Sequence, residues 1–457
     1  MKLDFLNRAT ELKALKKIYS LADPSIFLLY GRRRCGKSRL LQQLDNAVYY
    51  LADQSDQSLQ RQALARALAK VLPGFDAATY HSWHALFEAL NKRNPQRNKI
   101  PLPIILDEFP YLVAESPELP SIIQKFIDTG ELKVHLILSG SSQRMMNGLA
   151  LDDTSPLYGR AREVLKIRPL KAGWIIDALK LKSADAIASY ALWGGIPRYW
   201  ELAGEYRRQE DAIRDLVLNR DGILHNEPRR LLLDDLRSDT QPHSLLAVIG
   251  SGVHRMSEIA ARLEKPAMNL MRPLEILTEL GLVKREIPFG ETEKNTKRTL
   301  YSISDPFLRF WYRLVYPNLS NLELELYDQV ITAWTAMRDQ HVGSVWEDLA
   351  RESVPHVPIG NKKWGEARRW WGKLDGRGPA EIDIVARSVD GSSILLGEAK
   401  WGEIDTAYEM RKLEDISASL PFTKGRSVTV AFWTGRIGKK DRTSLCVAPD
   451  QVLQVLR

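Results

Sequence analysis

Short apolar runs alternate with stretches of helical period through the first third of the chain. The runs fall at 26–30, 47–51, 103–106, 134–138 and 164–167. Each is four or five residues long and apolar almost throughout, which reads as a strand buried on both faces. Residues 38–44 and 59–71 between them carry apolar positions at helical spacing. Strands separated by helices predict a parallel sheet covered on both sides, so an α/β core is expected over 1–170. Over 171–239 the strand pattern stops and helical period dominates, predicting a helical lid. Residues 240–305 read as helices near 243–249, 256–263 and 267–280, followed by strands 283–287 and 299–303 around a polar tip. That is the order of a winged-helix domain. A helical connector is expected over 306–339. The segment 340–457 reads helix, strands, helix, strand, with strands at 367–373, 382–386, 394–399 and 428–433 and a helix at 407–420, a second α/β domain.

Composition narrows the class. A chain of 457 residues holds several domains and buries its cores without staples. Its two cysteines, Cys35 and Cys446, match no metal or disulfide spacing, which fits a reducing compartment. The N-terminal stretch MKLDFLNRATELKALKK has no uncharged apolar stretch of signal-peptide type. The apolar runs are too short to span a bilayer. A cytoplasmic protein with no membrane partner is therefore expected. The net charge of +8 is compatible with a nucleic-acid partner without establishing one.

The first strand leads into Gly31-Arg32-Arg33-Arg34-Cys35-Gly36-Lys37-Ser38, the pattern G-x-x-x-x-G-K-[ST], and a helix follows that begins with Ser38 and Arg39. This is a phosphate-binding loop in its required context. Its glycines let backbone N–H groups of the loop turn toward phosphates, and the helix N-terminus adds a favourable dipole. Lys37 is expected to reach the β- and γ-phosphates of ATP, and Ser38 to ligate Mg²⁺. The cradle works through the backbone, so it does not explain three consecutive arginines. An interdomain or subunit contact and a solvated basic rim both remain open for them. Residues 104–108, Ile-Ile-Leu-Asp107-Glu108, form an apolar strand ending in two carboxylates. Asp107 is expected to hold Mg²⁺ through water, and Glu108 to polarise the attacking water. Another apolar strand ends in Ser139-Gly140-Ser141-Ser142, where a polar group would position the water or sense the γ-phosphate, with a plain turn as the alternative. Which serine does so is open. Arg160 is a candidate for neutralising the γ-phosphate, from a neighbouring copy in a homo-oligomer, with a surface ion pair as the alternative.

The motifs FLNRATEL, the phosphate loop, ILDEFPYL, LSGSS, SPLYGR and GGIPRYW (194–200) together resemble the archaeal-type ATPase family, a branch of the STAND and AAA+-like P-loop ATPases. The resemblance covers about residues 1–235. It implies that Arg8 and Glu11 lie in the segment approaching the adenine, and that Gly195-Ile196-Pro197 contacts the nucleotide from the lid. It also suggests that the winged helix follows the ATPase core. There Lys284, Arg285, Lys294, Lys297 and Arg298 are candidates for phosphate contacts, with an intramolecular relay as the competing role.

Near the C-terminus, Glu381-Ile382-Asp383 precedes Gly397-Glu398-Ala399-Lys400. Alternation on a strand puts Glu398 and Lys400 on one face, and Asp383 on a neighbouring strand supplies a second carboxylate. Two carboxylates suit Mg²⁺ or Mn²⁺, and a lysine beside them can orient or deprotonate a metal-bound water. Glu347 on the preceding helix is expected to complete the set. The segments VWEDLARE, RRWWGKL, EIDIVA and LLGEAKW resemble, in that order, the DUF234 form of the PD-(D/E)xK nuclease-like superfamily. The combined expectation is an ATPase coupled to a Mg²⁺-dependent nuclease-like domain acting on nucleic acid, DNA in particular. The alternative is an ATP-driven switch or scaffold whose C-terminal domain binds DNA or protein without cutting.

Overall fold

Ile26–Tyr30 (β1) is buried at all five positions, so neither face of the strand meets water. It is the second-to-last strand of a parallel sheet with Val48–Leu51 (β2), Pro103–Asp107 (β3), His135–Gly140 (β4) and Ala161–Lys166 (β5), in the order β2-β3-β4-β1-β5. The computed structural model describes residues 3, 5–93, 96–97, 100–236, 240–292, 294, 296, 298–374, 378–436 and 445–457. β3 and β4 are also buried throughout, which is why their sequences carry no polar alternation. The edge strand β5 alternates between half-buried and exposed positions and starts earlier than its apolar residues alone suggest. Packed on the sheet, Leu64, Leu68, Trp83, Phe87, Phe109 and Phe126 close one core. Fully burying side chains of this size stabilises by roughly 1.5–3 kcal/mol each.

Because every pairing is parallel, the C-terminal ends of the strands share one edge. Gly31, Glu108 and Ser141 emerge there, on adjacent or next-adjacent strands. Arg160 immediately precedes Ala161, which is in register with Ile26 at the start of β1. It therefore lies at the opposite edge, a strand's length of about 16 Å from the loop. This contradicts a role for Arg160 at the phosphates of its own chain.

The chain divides into two compact units. One comprises residues 5–169 with 233–237. The other comprises 1–4, 170–232 and 238–457, so the lid, wing, connector and C-terminal segments fall together. In this second unit, helices Thr240–Gly250, Met256–Arg262 and Ala267–Glu279 precede the antiparallel hairpin Val283–Glu286 (β6) and Leu300–Ile303 (β7). The expected boundary at 339/340 does not hold. A single helix, Tyr327–Ser353, runs through it. Its buried residues Val330, Trp334, His341, Val342, Val345, Trp346 and Leu349 recur at helical spacing, so no break separates connector from domain.

The C-terminal sheet has the order Arg368–Leu374 (β8), Gly378–Arg387 (β9), Ser393–Lys400 (β10), Ser427–Thr434 (β11) and Leu445–Val447 (β12). β8, β9 and β10 are antiparallel neighbours, and β10, β11 and β12 are parallel. Helix Thr406–Ser417 connects β10 to β11. Helix Pro449–Val455, outside the expected pattern, buries Val452 and Leu453.

Candidate nucleotide site and carboxylate cluster

The loop after β1 holds its shape through its glycines. A Cβ on Gly31 would lie 2.2 Å from the Ile167 carbonyl oxygen, so no other residue fits. Gly36 sits at φ 91°, in the left-handed region that favours glycine, and caps helix Lys37–Leu41. Lys37 is buried and donates through Nζ to the carbonyls of Gly31 (2.8 Å) and Arg32 (3.3 Å). Its ammonium is thus folded onto the cradle its side chain serves. Cys35 is buried, and its carbonyl accepts from the Arg8 guanidinium at 3.1 Å. Arg8 also donates to the Arg168 carbonyl (2.7 Å) and to Glu11 (3.0 Å). This N-terminal arginine therefore clamps the loop to the segment after β5.

The three arginines separate. Arg32 is buried, Arg33 is exposed and ion-pairs with Asp234 at 3.5 Å, and Arg34 takes the left-handed φ of 67°. Asp234 and Asp235 end helix Glu227–Asp235, far downstream in sequence. Asp235 accepts from the Ser142 hydroxyl (3.2 Å) and the Arg144 N–H (2.9 Å), at the start of helix Gln143–Leu151. Burial raises the carboxyl of Asp234 above its usual range; Arg33 opposes this and Glu108 adds to it. Burial likewise raises Asp235. Arg33, although exposed, faces a carboxylate beside the loop.

At the tip of β3, Asp107 is fully buried. Its Oδ2 accepts from the Tyr49 hydroxyl at 2.7 Å, and its Oδ1 from the Glu108 N–H at 3.1 Å. The same tyrosine meets Ser38. Burial and the Asp107 carboxylate push the Tyr49 phenol well above its usual range. A buried carboxylate with only neutral partners among the described residues wants a cation. With the Ser38 hydroxyl beside the same tyrosine, the donor set is all oxygen and fits Mg²⁺. Glu108 adopts a left-handed φ of 55°, a conformation costing roughly 1–2 kcal/mol. Its Oε2 accepts from both the N–H (3.1 Å) and hydroxyl (2.9 Å) of Ser141, which identifies the serine that β4 brings to the carboxylate. Arg39 lies half-buried on helix Lys37–Leu41.

Arg160 forms a two-pronged ion pair with Asp128, at 2.8 Å on each arm. Pro197 opens helix Pro197–Ala203 in the other unit.

In the C-terminal sheet, Ile384 pairs with Gly397, which brings the preceding Asp383 beside Glu398. Asp383 Oδ2 accepts from the Ala399 N–H at 3.0 Å, and the Asp383 carbonyl accepts from Arg351 at 2.9 Å. Lys400 Nζ lies 3.3 Å from Glu398 and 4.0 Å from Asp383. Glu398 is almost fully buried, and burial together with Asp383 pushes its carboxyl up to about 8. Burial and Asp383 likewise push Glu347 up to about 7, which places Glu347 within electrostatic reach of the pair. Burial works against the Lys400 charge, but Glu398 and Asp383 outweigh it and raise its pKa. Lys412, from helix Thr406–Ser417, adds a second cation 3.5 Å from Glu398. Nothing in its sequence surroundings marks it. Among the described residues, no group of three or more His, Cys, Asp or Glu side chains is arranged as a metal site. The cluster is a carboxylate pair with two lysines. A close acidic pair that is forced to keep a proton is where a divalent cation can take the proton's place.

The wing residues are largely committed within the chain. Lys284 pairs with Asp348 (2.5 Å) and Glu286 (3.0 Å), and Arg298 pairs with Glu291. Arg285 and Lys294 are exposed, and Lys297 lies outside the described residues. No helix among the described residues is long and apolar enough to cross a membrane.

Comparison with known proteins agrees with these features. A family described as an ATPase domain predominantly from Archaea matches residues 5–202. DUF234, described as archaeal and bacterial proteins of unknown function, matches residues 311–413. An uncharacterized protein of Methanocaldococcus jannaschii is 32% identical over 413 residues, covering 88% of each chain. Among solved structures, a Walker-type ATPase of Pyrococcus abyssi is similar at a TM-score of 0.51 and 21% identity, over 68% of this chain and 96% of that one. The ORC2 protein of Aeropyrum pernix aligns at a TM-score of 0.46 and 15% identity, over 73% and 97%. With its phosphate loop, its parallel sheet and a relative along nearly its whole length, the chain belongs to the archaeal-type P-loop ATPase family, here joined to a DUF234 segment.

Proposed function

We propose that this ATPase hydrolyses Mg²⁺-bound ATP and is coupled to a metal-dependent nuclease-like site in its C-terminal sheet that acts on DNA. At the nucleotide site, Ser38 and Asp107 would hold Mg²⁺, which would draw charge from the phosphates. The loop N–H groups and Lys37 cradle the β- and γ-phosphates. Glu108, steered by Ser141, orients the attacking water and accepts its proton.

One observation carries the nuclease reading: Asp383, Glu398 and Lys400 converge, with Lys400 within 4.0 Å of both carboxylates. Asp383 and Glu398 would hold Mg²⁺ or Mn²⁺, which would polarise a phosphoryl oxygen and acidify a water. The two carboxylates keep the proton on Lys400, so this lysine acts as a fixed positive charge beside the phosphorus rather than as the base. The winged-helix order of residues 240–303 fits a domain that places a helix or hairpin against DNA.

The test uses the full chain. Wild type and Lys400→Ala are incubated with linear, circular and branched DNA, with Mg²⁺ or Mn²⁺. Cutting by the wild type and not by the variant is expected. ATP turnover without cutting on any substrate points instead to an ATP-driven switch whose C-terminal domain only binds. In parallel, Lys37→Ala is expected to abolish ATP turnover, and undiminished hydrolysis would remove the nucleotide assignment.

A further inference from the structure

Two adjoining cavities in the second unit share Arg313, Gln340, Ser344 and Glu347 as lining. The first, about 300 Å³, reaches Lys284 and Ser302 of the β6–β7 hairpin. The second, about 500 Å³, reaches Lys400, Trp401 and Arg436. Together they form a groove leading from the hairpin to the Asp383–Glu398–Lys400 cluster.

The inner cavity's lining carries five cations against three carboxylates, while the outer one sets Arg313, Lys400 and Arg436 against Asp339, Glu347 and Glu403. Asp348 serves Lys284 (2.5 Å), Arg309 (2.8 Å) and Arg351 (2.6 Å) at once. Arg313, one helical turn after Arg309, has no such partner. Its guanidinium is half-buried, donates to the neutral Gln340 side chain at 2.5 Å, and pairs with no carboxylate among the described residues. A partly buried cation held only by an amide is set to receive an anion. Arg436 is a second, exposed cation on the wall of the outer cavity. Beside it, half-buried Trp401 packs edge-on against Trp346, with ring centroids 5.9 Å apart. Cations in a groove with an aromatic ring on its wall are features that bind a single strand, through its phosphates and bases.

We propose that the groove binds one strand of DNA and that Arg313 grips a phosphate of that strand, leading it toward Lys400. The direction of travel rests on the nuclease reading, but phosphate binding at Arg313 does not require cutting.

The experiment measures fluorescence anisotropy of a labelled oligo(dT) of about 15 nucleotides with the full chain, in EDTA and across a salt series. Arg313→Gln is expected to weaken binding about tenfold and to lower the salt slope by about 1, while Arg313→Lys keeps most of the affinity. Wild-type affinity and slope in Arg313→Gln overturn the proposal, as does a wild type that binds no strand. Should Arg313→Gln fail to fold, Arg436→Gln on the exposed rim carries the test: weaker binding supports the groove and unchanged binding refutes it. Cutting is read separately with metal present. Arg313-dependent binding without cutting upholds the groove and removes the nuclease reading; cutting with Arg313-independent binding removes the groove alone.

Discussion

Among the described residues, the Glu108 carboxylate is hydrogen-bonded by one residue, Ser141, through both its N–H (3.1 Å) and its hydroxyl (2.9 Å). The backbone of Glu108 is left-handed, so the side chain is aimed by strand order and this clasp rather than by an ordinary rotamer on a regular strand. Ser141→Ala removes one of two donors. A fall in kcat for ATP of about tenfold is expected, the order of one hydrogen bond to a charged group, with KM nearly unchanged. Glu108→Gln should bind ATP and turn over far more slowly. If Ser141→Ala raises KM while kcat holds, the clasp serves binding rather than the water.

Tyr49 stands between the two residues that would carry Mg²⁺. Its hydroxyl donates to Asp107 at 2.7 Å and meets Ser38. Tyr49→Phe leaves a buried carboxylate with one neutral donor fewer, at a cost of roughly 1–3 kcal/mol. The nucleotide-free protein should melt at a lower temperature, and Mg²⁺ with ATP should recover more of the loss than in the wild type. Calorimetric melting with and without Mg²⁺ and ATP checks this. Equal melting shifts in both proteins would show that the tyrosine does not communicate with the metal position.

Asp234 brings negative charge to the phosphate loop, 3.5 Å from Arg33. Incoming phosphates must share Arg33 and the loop with this carboxylate. Asp234→Asn removes the repulsion and is expected to tighten ATP binding by about three- to tenfold, equivalent to roughly 1 kcal/mol of surface electrostatics. The gain should shrink as salt rises, because the pair is partly exposed. Titration calorimetry at low and high salt measures it, and weaker binding in the variant would mean that the Arg33–Asp234 pair shapes the loop instead.

The sequence made some of this legible and concealed the rest, for physical reasons. Gly31, Gly36, Lys37 and Ser38 stand at fixed local spacing, so their pattern needs no knowledge of the fold. Asp107 and Glu108 end an apolar run, and Asp383, Glu398 and Lys400 follow from strand alternation. Tyr49 reaches Asp107 only because β2 pairs with β3, and Ser141 reaches Glu108 only because β4 lies beside β3. Sheet order is not encoded in a local run. Asp234 arrives after the chain has built part of another unit, and Lys412 lies on an ordinary solvent-facing helix turn. The motif of Arg160 does not reveal which edge of the sheet it occupies; there it makes the ion pair with Asp128 that was one of its two readings. The 339/340 boundary failed because a change from connector to domain in sequence composition need not interrupt a helix.

Two buried histidines contribute to the acid response of stability. Burial pushes His341 down to about 3 and His135 down to about 4. His341 is bonded to the Ala191 carbonyl at 2.8 Å, and His135 Nδ1 accepts from the Ser25 N–H at 3.1 Å, which requires the neutral ring. Both folded values lie below the unfolded value near 6.5. Between these limits the unfolded chain binds more protons than the folded one, so stability is fully present above about pH 6.5 and is lost as pH falls through the window. The limiting slope is about 1.4 kcal/mol per pH unit for each histidine. Melting temperature should therefore decline from pH 7 toward pH 4.5. His341→Gln keeps a donor for Ala191 but cannot titrate, so its melting curve should start lower at pH 7 and decline less steeply. An equally steep decline in the variant would assign the acid sensitivity to other groups.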